Sequence, residues 1–230
     1  MTNENMTVSE AICNAISFEM ENNEKVLVLG EDIATYGGVF GATRGLVQRF
    51  GEKRVRDTPI SEMAFSGMGV GLAMAGYRPI VEIMFVDFIG SCLDQLYNAM
   101  AKIPYMSGGN TRIPMVIKTA AGCIGAAAQH SQCLWGTFAH LPGMKIVVPS
   151  CPYSAKGLMT AAIRSDDPVI FIEHKAIMRK KLNSFDGVEE FPEDGYELPI
   201  GKAHTILKGD DLTIVSLSKG QCEHSRNSGR

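Results

Sequence analysis

The sequence predicts an α/β domain with a mainly parallel sheet flanked by helices. Short runs that are apolar at every position, 26–29 and 169–172, have the length and two-sided apolar character of strands buried on both faces. Such runs alternate along the chain with longer segments of helical spacing, the arrangement that builds a parallel sheet. The composition agrees. Of 230 residues, 45% are apolar and 20% charged, which fills a core and excludes a disordered chain.

Each element has its own signal. Thr7-Val8-Ser9-Glu10 has the form of a capping box and opens a helix reaching about Glu21. Strands are expected over 26–29 and, shorter, over 55–57. Ser61 is placed as the N-cap of a helix from Glu62 to about Ala75. That helix is apolar on all sides, so burial on all sides is expected. It carries Gly67, Gly69 and Gly71, each costing on the order of 1 kcal/mol against Ala. Gly67 and Gly71, one turn apart, would permit a close helix crossing. A strand over 79–84, a helix over 87–102, strands over 114–119 and 145–148, a helix over 153–164 and a strand over 169–172 complete the alternation.

From Ala176 the pattern dissolves into charged, Pro-containing chain, and one more apolar run, 212–217, precedes a polar tail. The expected division is therefore a domain over 1–175, a linker over 176–201, and over 202–230 the start of a truncated C-terminal domain plus that tail. From about Lys202 onward, loose packing is expected, because a strand over 212–217 would have no partners after it.

Charge and motifs exclude several classes. The net charge of −3 gives no electrostatic reason to expect a nucleic acid or a membrane surface as partner. The N-terminus has neither a signal-peptide nor a transit-peptide pattern. The charge-free run 119–144 contains Gln129, His130, Gln132, His140 and Pro142, so it reads as a buried functional loop and not as a membrane span. Six cysteines without a C-x-x-C pair read as reduced thiols of a cytoplasmic protein. No P-loop, no G-x-S-x-G elbow and no H-E-x-x-H occurs, and the five histidines are scattered.

Three features could carry chemistry. Glu62 is either a first-turn carboxylate facing the helix dipole or a partly buried acid that can donate or share a proton. In Phe85-Val86-Asp87-Phe88, a strand end leading into a helix, Phe88 is either core or a platform for a flat ring. In Ala126-Ala127-Ala128-Gln129-His130-Ser131-Gln132, three alanines clear space beside His130. That histidine is either hydrogen-bonded core or a site acid/base.

Five motifs in order, Asp57-Thr58-Pro59-Ile60-Ser61-Glu62-Met63, Met84-Phe85-Val86-Asp87-Phe88, Tyr105-Met106-Ser107-Gly108-Gly109, Ala128-Gln129-His130-Ser131-Gln132 and Pro152-Tyr153-Ser154-Ala155-Lys156-Gly157-Leu158, resemble the beta subunit of thiamine-diphosphate-dependent 2-oxo acid dehydrogenases. That group includes the pyruvate, branched-chain and acetoin dehydrogenases. The resemblance runs from about Thr7 to Leu217 and covers a transketolase-like pyrimidine-binding domain. It implies that Glu62 hydrogen-bonds N1′ of the aminopyrimidine and favours its imino form, that Phe88 packs on the pyrimidine, and that His130 assists intermediates or the incoming lipoyl group. It implies potassium on the backbone carbonyls of Met115, Ala162, Ile163, Ser165 and Asp167. The diphosphate motif, G-D-G followed by N-N, is missing from these 230 residues. The resemblance therefore implies an alpha subunit holding the diphosphate and magnesium, a second beta subunit in a heterotetramer, and a lipoyl acyltransferase component. The implied activity is decarboxylation of a pyruvate-like 2-oxo acid, or cleavage of acetoin, with acyl transfer to a lipoyl carrier. The alternative is a truncated, inactive subunit homologue that binds partner subunits without catalysis.

Overall fold

The computed structural model describes residues 5–185, 191–192, 194–206 and 208–220. Its centre is a six-stranded, all-parallel sheet: β1 (Val26–Gly30), β2 (Val55–Asp57), β3 (Arg78–Ile83), β4 (Val116–Ala121), β5 (Lys145–Val147) and β6 (Val169–His174). The strands lie in the order β2-β1-β3-β4-β6-β5.

Strand residues alternate between the two faces and feed two separate cores. On one face Val26, Val28, Ile80, Val116 and Phe171 meet α1 (Val8–Asn22) and α6 (Pro152–Arg164) through Ile12, Ile16, Met20, Ala155 and Met159. On the other, Leu29, Val81, Ile83, Ile117 and Ile172 meet α3 (Glu62–Met74) through Phe65 and Val70. Shorter helices follow β1 (α2, Leu46–Phe50), precede β4 (α4, Ile103–Met106) and precede β5 (α5, Trp135–Ala139). The Thr7 capping box forms as the sequence indicates, with Glu10 closing it from the third position.

Several expectations change. Ser61 does stand at the N-cap of α3, but its hydroxyl donates to Pro59 O instead of accepting from the helix. The helix over 87–102 is broken into a 3-10 segment, Val86–Cys92, and a π segment, Gln95–Met100, before α4. Pro104 lies just inside α4. Its ring would clash with the Met100 carbonyl in a continuous α-helix, and the wider π turn absorbs that conflict. β4 starts two residues later than expected, because Pro114 has no N–H to give a ladder.

α3 is not buried on all sides. Met63, Met68 and Met74 are exposed, and nothing approaches Gly71. The close contacts belong instead to Gly69, whose added Cβ would lie 2.6 Å from Val81, and to Gly67, whose Cβ would lie 2.9 Å from Gln95. The run 119–144 is buried at its strand end and at Phe138, and is mostly exposed from Cys123 to Thr137. No strand forms over 212–217, where Leu212, Ile214, Val215 and Leu217 are all exposed. Without a neighbouring strand to pair with, an apolar run has no ladder to join. The tail from Gln221 lies outside the described residues.

Inside the sheet, Lys118 of β4 pairs with Glu82 of β3 at 3.0 Å and Glu173 of β6 at 2.6 Å, all three buried. Sequence reading missed this group, since a lone Lys in an apolar strand shows nothing of its partners.

Candidate functional site

The strand order reverses direction beside β1, where β2 lies on one side and β3 on the other. In open parallel sheets such a point leaves a crevice at the carboxyl ends of the strands. The residues singled out from sequence all follow strand ends at this edge. Glu62 comes after β2, Phe85 to Phe88 after β3, and His130 in the loop after β4. Two residues not singled out join them: Glu31, directly after β1, and Lys175, directly after β6.

Glu31 and Glu62 are neighbours. Glu31 is 9% exposed, and its Oε1 has no hydrogen-bond partner. Burial pushes its carboxyl above the usual carboxylate range. The charges of Glu62 and Asp32 push the same way, and the Ser61 N–H, which donates to it, works against them. With its carboxyl held above the ordinary range, Glu31 keeps its proton to higher pH than a free glutamate does, beside the half-buried Glu62. The loop between them is pinned by Asp57, which accepts from Ala34 N–H at 2.7 Å, Thr35 N–H at 3.1 Å and Thr35 Oγ1 at 2.6 Å. Burial opposes the charge on Asp57, but these donors outweigh it and hold the carboxyl below its ordinary value.

The second half of the site is aromatic. The His130 ring meets Phe85 edge-on at 4.9 Å and Phe88 at 5.4 Å, and Phe85 in turn touches Phe40 at 5.7 Å. Phe88 is half-buried, with part of its surface against the core. The loop carrying His130 is strained: Ala127 sits at φ 63° and ψ 168°, a region that costs a residue with a Cβ about 1–3 kcal/mol. Ser131 Oγ closes that turn by donating to Ala127 O at 2.7 Å. At its start the loop leaves β4 through Gly122, at φ 95°, where an added Cβ would lie 2.4 Å from the His174 imidazole. Only glycine suits both the angle and the space.

This donor set fits an aminopyrimidine. It offers a carboxyl for a ring nitrogen, a second, buried carboxyl with an unpartnered oxygen beside it, and a half-buried aromatic face. The carbonyls assigned to potassium are already engaged. Arg78 Nη1 donates to Ile163 O and to Ser165 O at 3.0 Å each. Val169 N–H donates to Met115 O at 2.9 Å, Ser165 N–H to Ala162 O at 3.3 Å, and Ser165 Oγ to Asp167 O at 2.9 Å. A guanidinium on two of the five does not suit a second cation at the same place.

Comparison with known proteins identifies the family. The family model for the transketolase pyrimidine-binding domain matches residues 4–181. The acetoin:2,6-dichlorophenolindophenol oxidoreductase subunit beta of Bacillus subtilis (strain 168) is 45% identical over 227 residues, covering 93% of this chain and 64% of the relative. The 2-oxoisovalerate dehydrogenase subunit beta of the same organism is 46% identical, covering 95% and 65%. The pyruvate dehydrogenase E1 component subunit beta of Rhizobium meliloti (strain 1021) is 46% identical, covering 94% and 46%. The chain thus spans less than two thirds of the length of these relatives. Among solved structures, a split-gene transketolase described as an inactive beta4 tetramer matches with a TM-score of 0.60 at 19% identity, covering 74% of this chain and 52% of that one. The chain belongs to the transketolase pyrimidine-binding domain family.

Proposed function

We propose that this chain forms the pyrimidine side of a thiamine-diphosphate site in a dehydrogenase of the pyruvate and acetoin type. The observation that carries the reading is the pair Glu31 and Glu62 at the strand-order reversal, one carboxyl buried with an unpartnered oxygen and the other at the head of an apolar helix. When bound, the thiamine supplies the carbanion chemistry. Glu62 would hydrogen-bond the ring nitrogen, and Glu31, its carboxyl pKa raised, would share a proton within the same crevice. Phe88 would pack on the ring. His130 would move a proton for the substrate or the incoming acyl acceptor. The reaction is decarboxylation of a pyruvate-like 2-oxo acid, or cleavage of acetoin, with the acyl group passed to a lipoyl carrier.

The exposed apolar face of α3, with Met63, Met68, Gly71 and Met74, supports an assembly with other subunits. An alpha subunit would hold the diphosphate with magnesium, and a second beta subunit and a lipoyl acyltransferase component would complete the complex. Thiamine-dependent turnover of pyruvate or acetoin on mixing the chain with its alpha subunit tests this. A second reading, a subunit that occupies alpha subunits without turnover, is favoured by the unpaired, exposed run 212–217. A stable complex without turnover would select it.

A further inference from the structure

We infer that Lys175 is a positioning residue for His130, holding the histidine loop in a charged clamp whose other jaw is Asp87. The inference rests on the proposed role of His130. The topology makes the clamp. β6 lies beside β4, so the residue that follows β6 meets the loop that follows β4. Lys175 N–H continues the ladder to Ala121 O at 2.9 Å, which fixes its backbone against the start of that loop. Its ammonium then reaches across the loop. Lys175 Nζ donates to His130 O at 2.6 Å and lies 4.9 Å over the Phe85 ring. Two residues on, Asp87 Oδ1 accepts from Gln132 N–H at 3.2 Å and from Gln132 Nε2 at 2.9 Å.

The segment is therefore held by a cation at the His130 carbonyl and by an anion at Gln132, and the two charges attract. Lys175 is only 7% exposed, so both of its contacts act with little screening by water. The loop needs such restraint. It contains the strained Ala127, and strain persists only where surrounding structure enforces it. The restraint also sets the ring. Phe85 receives the ammonium on its face and presents itself to His130 at an interplanar angle of 84°. Lys175 thus acts on the histidine twice, through its carbonyl and through the aromatic that its ring rests on. Methionine keeps the length of this side chain but has no donor and no charge. Arginine keeps both.

The test uses Lys175→Met, Lys175→Arg and Asp87→Asn in the complex with alpha subunit, together with amide hydrogen exchange over residues 128–132 in the chain alone. Lys175→Met should lower kcat by on the order of 10–100-fold with KM little changed, because a misplaced group costs rate without weakening ground-state binding. Lys175→Arg should restore most of kcat. Exchange over 128–132 should accelerate in the Met and Asn variants and return towards wild type in the Arg variant. Unchanged exchange in both Lys175→Met and Asp87→Asn would overturn the clamp. A loss of kcat that Arg does not recover would overturn the positioning role. Faster exchange in Lys175→Met, reversed by Arg, in a wild-type complex that shows no thiamine-dependent turnover, would uphold the clamp and overturn the functional reading instead. If Lys175→Met fails to fold, Asp87→Asn against wild type decides by the same exchange measurement.

Discussion

Lys118 Nζ lies 2.6 Å from Glu173 Oε1 in the middle of the parallel sheet, with the two side chains 2% and 0% exposed. Because Lys118 also serves Glu82, the ammonium is the cation that two buried carboxyls share. Its replacement would leave both acids without a counter-charge. Lys118→Met should therefore destabilise the fold by about 3–5 kcal/mol, measured by urea unfolding. A loss of well under 1 kcal/mol would show that the sheet tolerates the group as neutral polar side chains.

The same group makes stability depend on pH. Burial raises the Glu173 pKa above its unfolded value, Lys118 opposes that, and the charge of Glu82 adds to it. A carboxyl raised in the folded state contributes stability that is fully present below its unfolded pKa and is lost as pH rises through its folded pKa. Unfolding midpoints should show this downward contribution above the ordinary carboxylate range in wild type. Subtracting the profile of Glu173→Gln, which cannot titrate, should isolate it. Parallel wild-type and Gln profiles would mean that Glu173 does not titrate in the folded state as described.

Arg78 on the carbonyls of Ile163 and Ser165 predicts indifference to potassium. The thermal midpoint of the wild-type chain should be equal in potassium and sodium salts at matched ionic strength. Arg78→Met should destabilise by about 1–3 kcal/mol through the lost charged hydrogen bonds, including the one to Asp166. A potassium-specific rise in the wild type would show that the ion binds despite the guanidinium.

Ala127 predicts a gain. Ala127→Gly relieves a positive φ that alanine tolerates poorly, and this is partly offset by the extra freedom of glycine in the unfolded chain. The net effect should lie between neutral and about 1 kcal/mol of stabilisation, read from the unfolding midpoint. A clear loss of stability would argue against the strained turn.

Much of this was legible in the sequence, and the misses have physical causes. The apolar runs 26–29 and 169–172 mark β1 and β6, since a strand buried on both faces has no other pattern. The capping box at Thr7 marks α1 through local hydrogen bonds alone. Glu62, Phe88 and His130 do fall at one edge of the sheet, because each sits where a strand ends. Glu31 and Lys175 escaped notice, since each is a single charged residue after a strand, and their meaning comes from neighbours far off in sequence. The open face of α3 could not be told from a buried one, because an apolar helix looks the same whether its own chain or another one covers it. The π turn before Pro104 arises from a conflict between ring and carbonyl that helical spacing does not register.

The proposed function turns on Glu62, which would hold the thiamine pyrimidine and control its proton. The most direct measurement is exchange of the C2 proton of thiamine diphosphate for deuterium, in a complex of this chain with its alpha subunit, comparing wild type with Glu62→Gln. Glutamine keeps a hydrogen-bonding group at α3's first position but cannot share a proton with the ring. The Gln complex should assemble as wild type does, and its C2 exchange should fall to the rate of free cofactor. Wild-type exchange in an assembled Glu62→Gln complex would contradict it.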